Sequence, residues 1–246
     1  MANMGRLTTD RFGFSMPVDA SLYPKPPIVY KNVDAIQFTY ETEEEAALDS
    51  LPQGLELVLP ATVIIFIARY GFSTVGPYNE AIQMLLCQFE GRMGVYVSKI
   101  LLDSDVGMAA GREIWGFPKK LASIDLSNVG ETIMGTVERP TGNRLCTATM
   151  KVEAPVDPSQ LPALPLFNLR VIPHPEEGHP PSLVQLIEVI APFTYSEVWQ
   201  GPGSLQFDSV SPVDLWHKLP VKQGNTAHYI RNSEFQLPFG RVIKTY

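Results

Sequence analysis

The sequence predicts a β-rich α+β fold for this chain of 246 residues. Short apolar stretches with a two-residue period recur along the chain, which is the pattern of half-buried strands. The 22 prolines and 18 glycines fit many strand-ending turns better than long helices. No linker-like segment and no internal repeat divides the sequence, so we expect a single domain spanning residues 1–246.

The first thirty residues predict an extended lead without regular structure. Tyr23-Pro24-Lys25-Pro26-Pro27 disfavours helix, because proline fixes its own backbone and restricts the residue before it. We expect the lead, residues 1–30, to wrap another surface of the protein or another subunit.

The following elements are mostly strands. Alternation of Ile36, Phe38 and Tyr40 predicts a strand over 35–42, and the capping-box pattern that starts at Thr42 predicts a short helix after it. Further strands are predicted at 55–59, 61–69, 81–89, 94–102, 132–138, 144–152, 183–190, 195–199, 204–208 and 229–237. A helix capped by Asp103 or Asp105 should end at Gly116, and another short helix is predicted at 213–218.

Composition excludes several classes of protein. The net charge of −7 and the pI near 5.1 argue against nucleic-acid binding, which calls for basic clusters. The N-terminus lacks the residue order of a signal peptide, and the longest apolar run, 61–68, is too short to cross a bilayer. We therefore expect a cytoplasmic protein in which Cys87 and Cys146 are buried thiols, with a disulfide as the minor alternative.

The segment from Gly111 to Lys120 is the strongest candidate for chemistry, because two adjacent lysines follow an apolar, proline-locked turn. An unperturbed lysine titrates near ~10.4 and is protonated at neutral pH, so a nucleophilic amine needs burial or a neighbouring cation. Trp115 and Phe117 supply apolar surroundings, and the second lysine supplies a like charge. The alternative for a Lys-Lys pair alone is an ordinary solvated surface.

Residues 111–122, Gly-Arg-Glu-Ile-Trp-Gly-Phe-Pro-Lys-Lys-Leu-Ala, resemble the signature of the acetoacetate decarboxylase family. The segment 76–80 is similar to the family's glutamate-bearing segment, and segments 144–150, 168–173, 197–206 and 219–222 follow in the family's order. The resemblance covers roughly residues 20–244. It implies a closed or conical antiparallel β-barrel core with peripheral short helices, assembled into a homo-oligomer.

The resemblance also assigns candidate site residues. Lys119 resembles the lysine that forms a Schiff base with a keto acid, Lys120 the neighbour that helps depress its pKa, and Glu80 the pocket glutamate. The candidate substrate-binding residues are Arg112, Glu113, Phe117, Tyr78, Tyr96 and Arg69. Arg112 and Glu113 could equally form a structural ion pair, and the two tyrosines could be core aromatics. For the substrate carboxylate, Lys31 is a further candidate beside Arg69 and Arg112.

Two positions depart from the family pattern. Val33 stands where the family carries an arginine, and Ile65 or Ile67 stands where it carries a second pocket glutamate. The imine chemistry is therefore better supported than the decarboxylation of acetoacetate itself.

The resulting hypothesis is a carbon–carbon lyase that acts on a small keto acid, most simply a β-keto acid such as acetoacetate, without metal or organic cofactor. One alternative is an aldolase-dehydratase that uses the same imine on a pyruvate-like acid, and another is a non-catalytic binding protein. A metal-dependent hydrolase would need a ligand cluster. His174 and His179 lie near Glu176 and Glu177 in a proline-rich loop, which favours solvated histidines, and His217 and His228 have no partners at motif spacing.

Overall fold

The computed structural model describes residues 3–161 and 163–246, which form two β-sheets and a few short helices. The strands in chain order are β1 (Ile28–Glu41), β2 (Glu56–Leu57), β3 (Thr62–Ser73), β4 (Tyr78–Phe89), β5 (Arg92–Leu102), β6 (Lys119–Leu121), β7 (Ser123–Val129), β8 (Thr132–Glu138), β9 (Arg144–Lys151), β10 (Ala154–Pro155), β11 (Leu166–Ile172), β12 (Leu183–Val189), β13 (Phe193–Thr194), β14 (Glu197–Gly201), β15 (Gly203–Gln206), β16 (Gln223–Leu237) and β17 (Arg241–Thr245).

Helical structure is confined to short segments. The α-helices are α1 (Glu44–Leu48) and α2 (Asp105–Ala110), and a π-helical turn, Gly111–Trp115, continues α2. Single 3₁₀ turns occur at Thr9–Arg11, Pro158–Gln160 and Trp216–Lys218. In the part of the chain that is described, no helix has both the length and the apolar character needed to span a membrane.

The larger sheet has 13 strands and follows the order β10-β14-β16-β1-β3-β4-β5-β11-β12-β17, with β13, β2 and β6 attached at its sides. The smaller sheet has four strands in the order β15-β9-β8-β7. The strand-rich α+β class is confirmed. No pairing joins the end strands β10 and β17 among the described residues, so the barrel closure expected from the resemblance remains a prediction.

The central strands are apolar on both faces. On β3, Ile65 and Ile67 pack into the core between the two sheets, whereas Phe66, Ala68 and Tyr70 pack into a second core on the opposite face. This agrees with the prediction that the strand is central, since a strand covered on both sides does not need alternating polarity. The second core also contains α2 and the residues around Lys119.

Several boundaries differ from the prediction. The N-cap of α2 is Ser104, whose side chain accepts a hydrogen bond from the Gly107 amide, so the caps predicted at Asp103 or Asp105 were wrong. The helix predicted at 213–218 is only a 3₁₀ turn, and β7, β11 and β17 were not predicted as strands.

Cys87 and Cys146 are both buried and free.

The N-terminal lead has the extended character that was predicted. Apart from the turn at Thr9–Arg11, residues 3–27 contain no helix or strand. Part of the lead packs on its own chain, since Tyr23 is buried and its hydroxyl donates to Glu113, a few residues before the two lysines.

Candidate active site

Lys119 begins β6, which lies parallel to β5 with Lys119 opposite Ile100. Its side chain is only 4% exposed, and its Nζ lies 2.7 Å from Oε2 of Glu80. The Glu80 side chain is 6% exposed, so both charges are withdrawn from water. A buried ion pair is costly unless its members are held in good geometry.

Glu80 is held by the middle of the larger sheet. It lies on β4 opposite Ala68 of β3 and Leu102 of β5, where the backbone is fixed from both sides. The Tyr70 hydroxyl donates to Glu80 Oε1 at 3.1 Å. One carboxylate oxygen therefore faces a neutral donor, and the other faces the Lys119 amine.

Three tyrosines surround this pair. The hydroxyls of Tyr30 and Tyr78 lie 3.0 Å apart, and the rings of Tyr30 and Tyr70 meet edge to face at 4.9 Å. Burial, followed by the negative charge of Glu80, raises the pKa of Tyr30, and the same two causes raise the pKa of Tyr70 and Tyr78 well above 10.0. All three phenols are therefore neutral hydrogen-bond donors at physiological pH.

Aromatic faces complete the surroundings of the amine. Lys119 Nζ lies 5.6 Å from the ring centroid of Tyr78 and 5.6 Å from that of Phe117. This distance is within the range at which a ring face attracts a cation. The predicted apolar surroundings of the lysine are thus supplied by Phe117 and Tyr78.

The chain before Lys119 is shaped by two glycines. A Cβ on Gly111 would lie 2.6 Å from Lys119 Cδ, so the absence of a side chain makes room for the lysine stem. Gly116 ends the π-helical turn at φ 75°, and a Cβ there would lie 2.5 Å from Arg170 Cα. The left-handed backbone and the close approach both require glycine.

The two residues after Gly111 support this segment. Arg112 Nη1 donates to the Lys119 carbonyl oxygen at 3.1 Å, and the Glu113 carboxylate accepts from Tyr23. Neither residue lines the cavity beside Lys119. The contacts therefore favour a structural role for Arg112 and Glu113, through hydrogen bonds to the Lys119 carbonyl and from Tyr23 rather than through the ion pair that was the alternative.

A cavity of about 80 Å³ adjoins the Lys119–Glu80 pair. Its lining residues are Tyr30, Tyr70, Glu80, Ile82, Met84, Val97, Ile100, Phe117, Lys119, Leu166, Ala191, Phe235 and Leu237. Among these described residues, Lys119 and Glu80 are the two charged ones. A small carbonyl compound in this cavity would meet one amine, one carboxylate and otherwise apolar or phenolic groups.

This geometry can be compared with known proteins. The family model described as acetoacetate decarboxylase matches residues 15–246. The chain belongs to the acetoacetate decarboxylase family. It is 33% identical to acetoacetate decarboxylase 3 of Mesorhizobium japonicum over 240 residues, which cover 95% of this chain and 91% of that protein.

Solved structures agree at the level of the fold. The crystal structure of acetoacetate decarboxylase from Legionella pneumophila superposes with a TM-score of 0.88 at 28% identity, covering 100% of this chain and 98% of that one. The enduracididine biosynthesis enzyme MppR, complexed with the condensation product of pyruvate and imidazole 4-carboxaldehyde, has a TM-score of 0.79 at 22% identity, with coverage of 96% and 97%. The likeness to MppR concerns the fold alone.

Within this family framework, Lys120 does not lie where the resemblance had suggested. Its Nζ donates to Asp214 Oδ1 at 2.9 Å and to the Val213 carbonyl at 2.6 Å. Successive side chains of a strand point to opposite faces, so Lys119 and Lys120 diverge from β6. Lys120 pairs its charge with Asp214 and does not line the cavity beside Lys119.

Two other candidates lie outside the cavity. Tyr96 lies on β5 opposite Leu85 of β4 and contacts a separate core cluster. Burial there raises the pKa of Tyr96 to about 12. Arg69 points to the surface and binds Asp34 at 2.7 Å. The structure therefore brings together Lys119, Glu80, Tyr78 and Phe117, but not Tyr96, Arg69 or Lys120.

The candidate partners for a substrate carboxylate are also absent from the lining. Lys31 is half exposed and pairs with Glu234, and Val33 is fully buried opposite Tyr70. Ile65 and Ile67 face the core between the sheets and do not line the cavity beside Lys119. Of the β3 residues, Tyr70 lines the cavity beside Lys119.

Tyr30 and Tyr70 line the cavity but were not among the residues predicted from the sequence. Tyr70 was predictable, because residues two apart on a strand share a face and Phe66, Ala68 and Tyr70 have this spacing. Tyr30 lies before the predicted start of β1 and could not be assigned to a face.

The histidine loop forms a separate cluster. His174, Glu176 and His179 offer ligand atoms within 4.8 Å of one another, a spacing that could hold a metal ion. Glu176 and His179 are exposed, and none of the three lines the Lys119 cavity.

Proposed function

We propose that the protein is a Schiff-base-forming lyase that decarboxylates a β-keto acid such as acetoacetate, with Lys119 as the nucleophile. The observation that carries this proposal is the buried Lys119–Glu80 pair, 2.7 Å apart in an otherwise apolar cavity. A lysine amine and a carboxylate at this distance can exchange a proton directly. Membership of the acetoacetate decarboxylase family supports the same chemistry.

The reaction begins when Glu80 accepts a proton from the Lys119 ammonium. The free amine attacks the ketone carbon, a C–N bond forms, and water leaves to give a protonated imine. The bond between the α-carbon and the carboxylate then breaks, CO₂ leaves, and the electron pair moves into an enamine. Protonation of the enamine carbon and hydrolysis of the imine release the ketone and restore Lys119.

Glu80 suits two stages of this sequence. The iminium carries the same positive charge at nearly the same place as the ammonium, so the carboxylate faces a cation before and after imine formation. Tyr70 orients Glu80 through its hydrogen bond at 3.1 Å. We propose Glu80 as the group that moves protons between amine, water and enamine.

The apolar surroundings assist the loss of CO₂. A carboxylate bound among apolar groups loses its charge when it leaves as CO₂, and this lowers its desolvation cost in the transition state. The cavity offers the substrate carboxylate no arginine among the described lining residues. On entry, the substrate carboxylate meets the Lys119 ammonium. After imine formation the positive charge is paired with Glu80, so the substrate carboxylate has no counter-charge.

An assay of CO₂ release tests the proposal. The wild type should release CO₂ from acetoacetate above the spontaneous rate, and Lys119→Ala should lose at least about 10³-fold in kcat/KM. Lys119→Arg is the matched control for charge, because it stays cationic and cannot form an imine. Condensation of pyruvate with an aldehyde, without CO₂ release, would instead indicate the aldolase-dehydratase, and no turnover would indicate a binding protein.

A further inference from the structure

A second chamber of about 180 Å³ adjoins the cavity at Lys119. The two cavities share six lining residues, namely Tyr70, Ile82, Met84, Leu166, Ala191 and Phe235. An aromatic stack runs along the shared wall. Phe235 stacks on Tyr30 of the inner cavity at 4.2 Å and on Phe193 of the outer chamber at 5.2 Å.

The outer chamber is apolar. Beyond the shared wall it is lined by Gln37, Ile64, Phe66, Val95, Leu161, Ala163, Leu164, Phe193 and Tyr195. None of its lining residues in the described ranges carries a formal charge, and Gln37, Tyr70 and Tyr195 supply its polar atoms. A carboxylate has no partner there, whereas a hydrocarbon group would exchange water for aliphatic and aromatic contacts.

We propose that this chamber binds the hydrocarbon tail of a medium-chain 3-oxo acid whose ketone reacts with Lys119. The inference rests on the proposed function and specifies its substrate class. The ketone carbon lies at Lys119, and the carboxymethyl group stays in the inner cavity beside the Lys119–Glu80 pair. The tail extends along the shared lining residues into the outer chamber.

The size of the chamber sets the length of the tail. An apolar cavity of about 150 Å³ is enough to hold benzene, so 180 Å³ accommodates a tail of about six carbons. The inner cavity of about 80 Å³ is less than half as large and suits the short carboxymethyl side of the ketone. Acetoacetate, with a methyl group as its tail, would leave the outer chamber unfilled.

The first test compares kcat/KM for CO₂ release from acetoacetate, 3-oxohexanoate and 3-oxooctanoate, each corrected for spontaneous decay. Burial of each added methylene should raise kcat/KM about fourfold until the chamber is full. The expected gain from acetoacetate to 3-oxooctanoate is therefore about 50- to 250-fold. Equal or falling values along the series would overturn the inference and leave the proposed function intact.

Two variants test the location of the tail. Ile64→Gln places an amide in the outer chamber, and Ala163→Trp fills its exposed rim; neither residue lines the inner cavity. Each should lower kcat/KM for 3-oxooctanoate at least about tenfold, since several buried methylenes are lost, and leave acetoacetate unchanged. The matched controls are Ile243→Gln, at a half-buried site on β17, and Ala20→Trp, at an exposed site in the lead.

If Ile64→Gln and Ala163→Trp lower kcat/KM equally for 3-oxooctanoate and for acetoacetate, the tail does not bind in this chamber. A binding experiment separates this failure from failure of the proposed reaction. Calorimetric titration of the wild type with octanoate and butyrate should show tighter binding of octanoate, weakened in Ile64→Gln. Equal affinity for the two acids would overturn the chamber assignment, whatever the catalytic result.

Discussion

At the scale of single residues, the two lysines occupy opposite faces of β6. Lys119 points into the buried cavity toward Glu80, and Lys120 points away toward Asp214. The adjacent lysines suggested from sequence that one would perturb the other. Strand alternation separates their charges, and sequence alone did not show that residue 119 begins a strand.

Replacing Lys120 with methionine should therefore have little effect on the reaction. We expect Lys120→Met to keep kcat/KM within about tenfold of the wild type, because Asp214 retains Arg139 at 3.1 Å and the cavity is unchanged. Lys119→Met is the matched comparison and should be inactive. Equal losses in the two variants would show that Lys120 acts in the site after all.

Glu80→Gln tests the proton-transfer role with little change in shape. The variant should lose about 10²- to 10⁴-fold in kcat, the range for general acid–base groups. The unpaired Lys119 charge should also lower the free energy of unfolding by about 3 to 5 kcal/mol, measured in urea. Tyr70→Phe removes only the hydrogen bond at 3.1 Å, so it should lower both kcat and the free energy of unfolding by less than Glu80→Gln does. Wild-type kcat in Glu80→Gln would exclude the role.

Lys99 should make stability depend on pH. Burial, followed by the charges of Lys218 and Lys120, lowers the pKa of Lys99 from 10.5 to about 8. Between these values the unfolded chain binds more protons than the folded one, so the contribution of Lys99 to stability rises with pH, by at most about 1.4 kcal/mol per unit.

Urea unfolding of the wild type and Lys99→Met between pH 7.5 and 9.5 isolates this contribution. The advantage of the methionine variant should shrink as the pH rises. Burial also raises the pKa of Cys87 to about 12, which favours the unfolded chain as the pH rises above 9. Both proteins share this effect, so the quantity to compare is the difference between their free energies of unfolding at each pH. A difference that is constant or grows with pH contradicts the account.

Among the secondary-structure elements, the turn from α2 into β6 positions the nucleophile. The π-helical turn Gly111–Trp115 is wider than an α-helical turn, and such segments often occur at functional sites. Trp115 anchors the turn through a hydrogen bond from Nε1 to the Pro238 carbonyl at 2.8 Å. The helix and its end near Gly116 were predictable from glycine and proline, but the π geometry was not, since it depends on contacts with distant residues.

Gly111→Ala should impair catalysis without preventing folding. Its Cβ would lie 2.6 Å from Cδ and 2.7 Å from Cε of Lys119, so the lysine stem must move. A displacement of about 1 Å at the reacting group can cost about 100-fold in kcat. Gly5→Ala is the control for the substitution alone, since its Cβ would have no neighbour within 4 Å. Equal kcat for both variants would contradict the positioning role.

At the scale of the whole molecule, local patterns predicted the strand-rich class and most long strands. The β4–β5 hairpin appears close to its predicted bounds, because both strands alternate and the connection is tight. The cavity was not predictable in the same way. Lys119 and Glu80 were identified through motifs, whereas Tyr30, Ile64 and Phe235 reach the two chambers through pairings between distant strands.

Assembly is a further prediction at this scale. The lead exposes several large apolar side chains, namely Met4, Leu7, Phe12, Phe14, Met16 and Leu22. Six large apolar side chains exposed within one segment could be covered by a second copy of the chain, and we expect the predicted homo-oligomer. Light scattering after size exclusion should give a multiple of 27.3 kDa, and a mass of one chain at micromolar concentration would contradict it.

The most direct test of the account is borohydride reduction in the presence of acetoacetate or 3-oxooctanoate, read by intact mass and peptide mapping. We expect one reduced adduct per chain, located on Lys119 and missing in Lys119→Ala. An adduct on Lys99 or Lys120, or none with either keto acid, would contradict the assignment of Lys119 as the nucleophile.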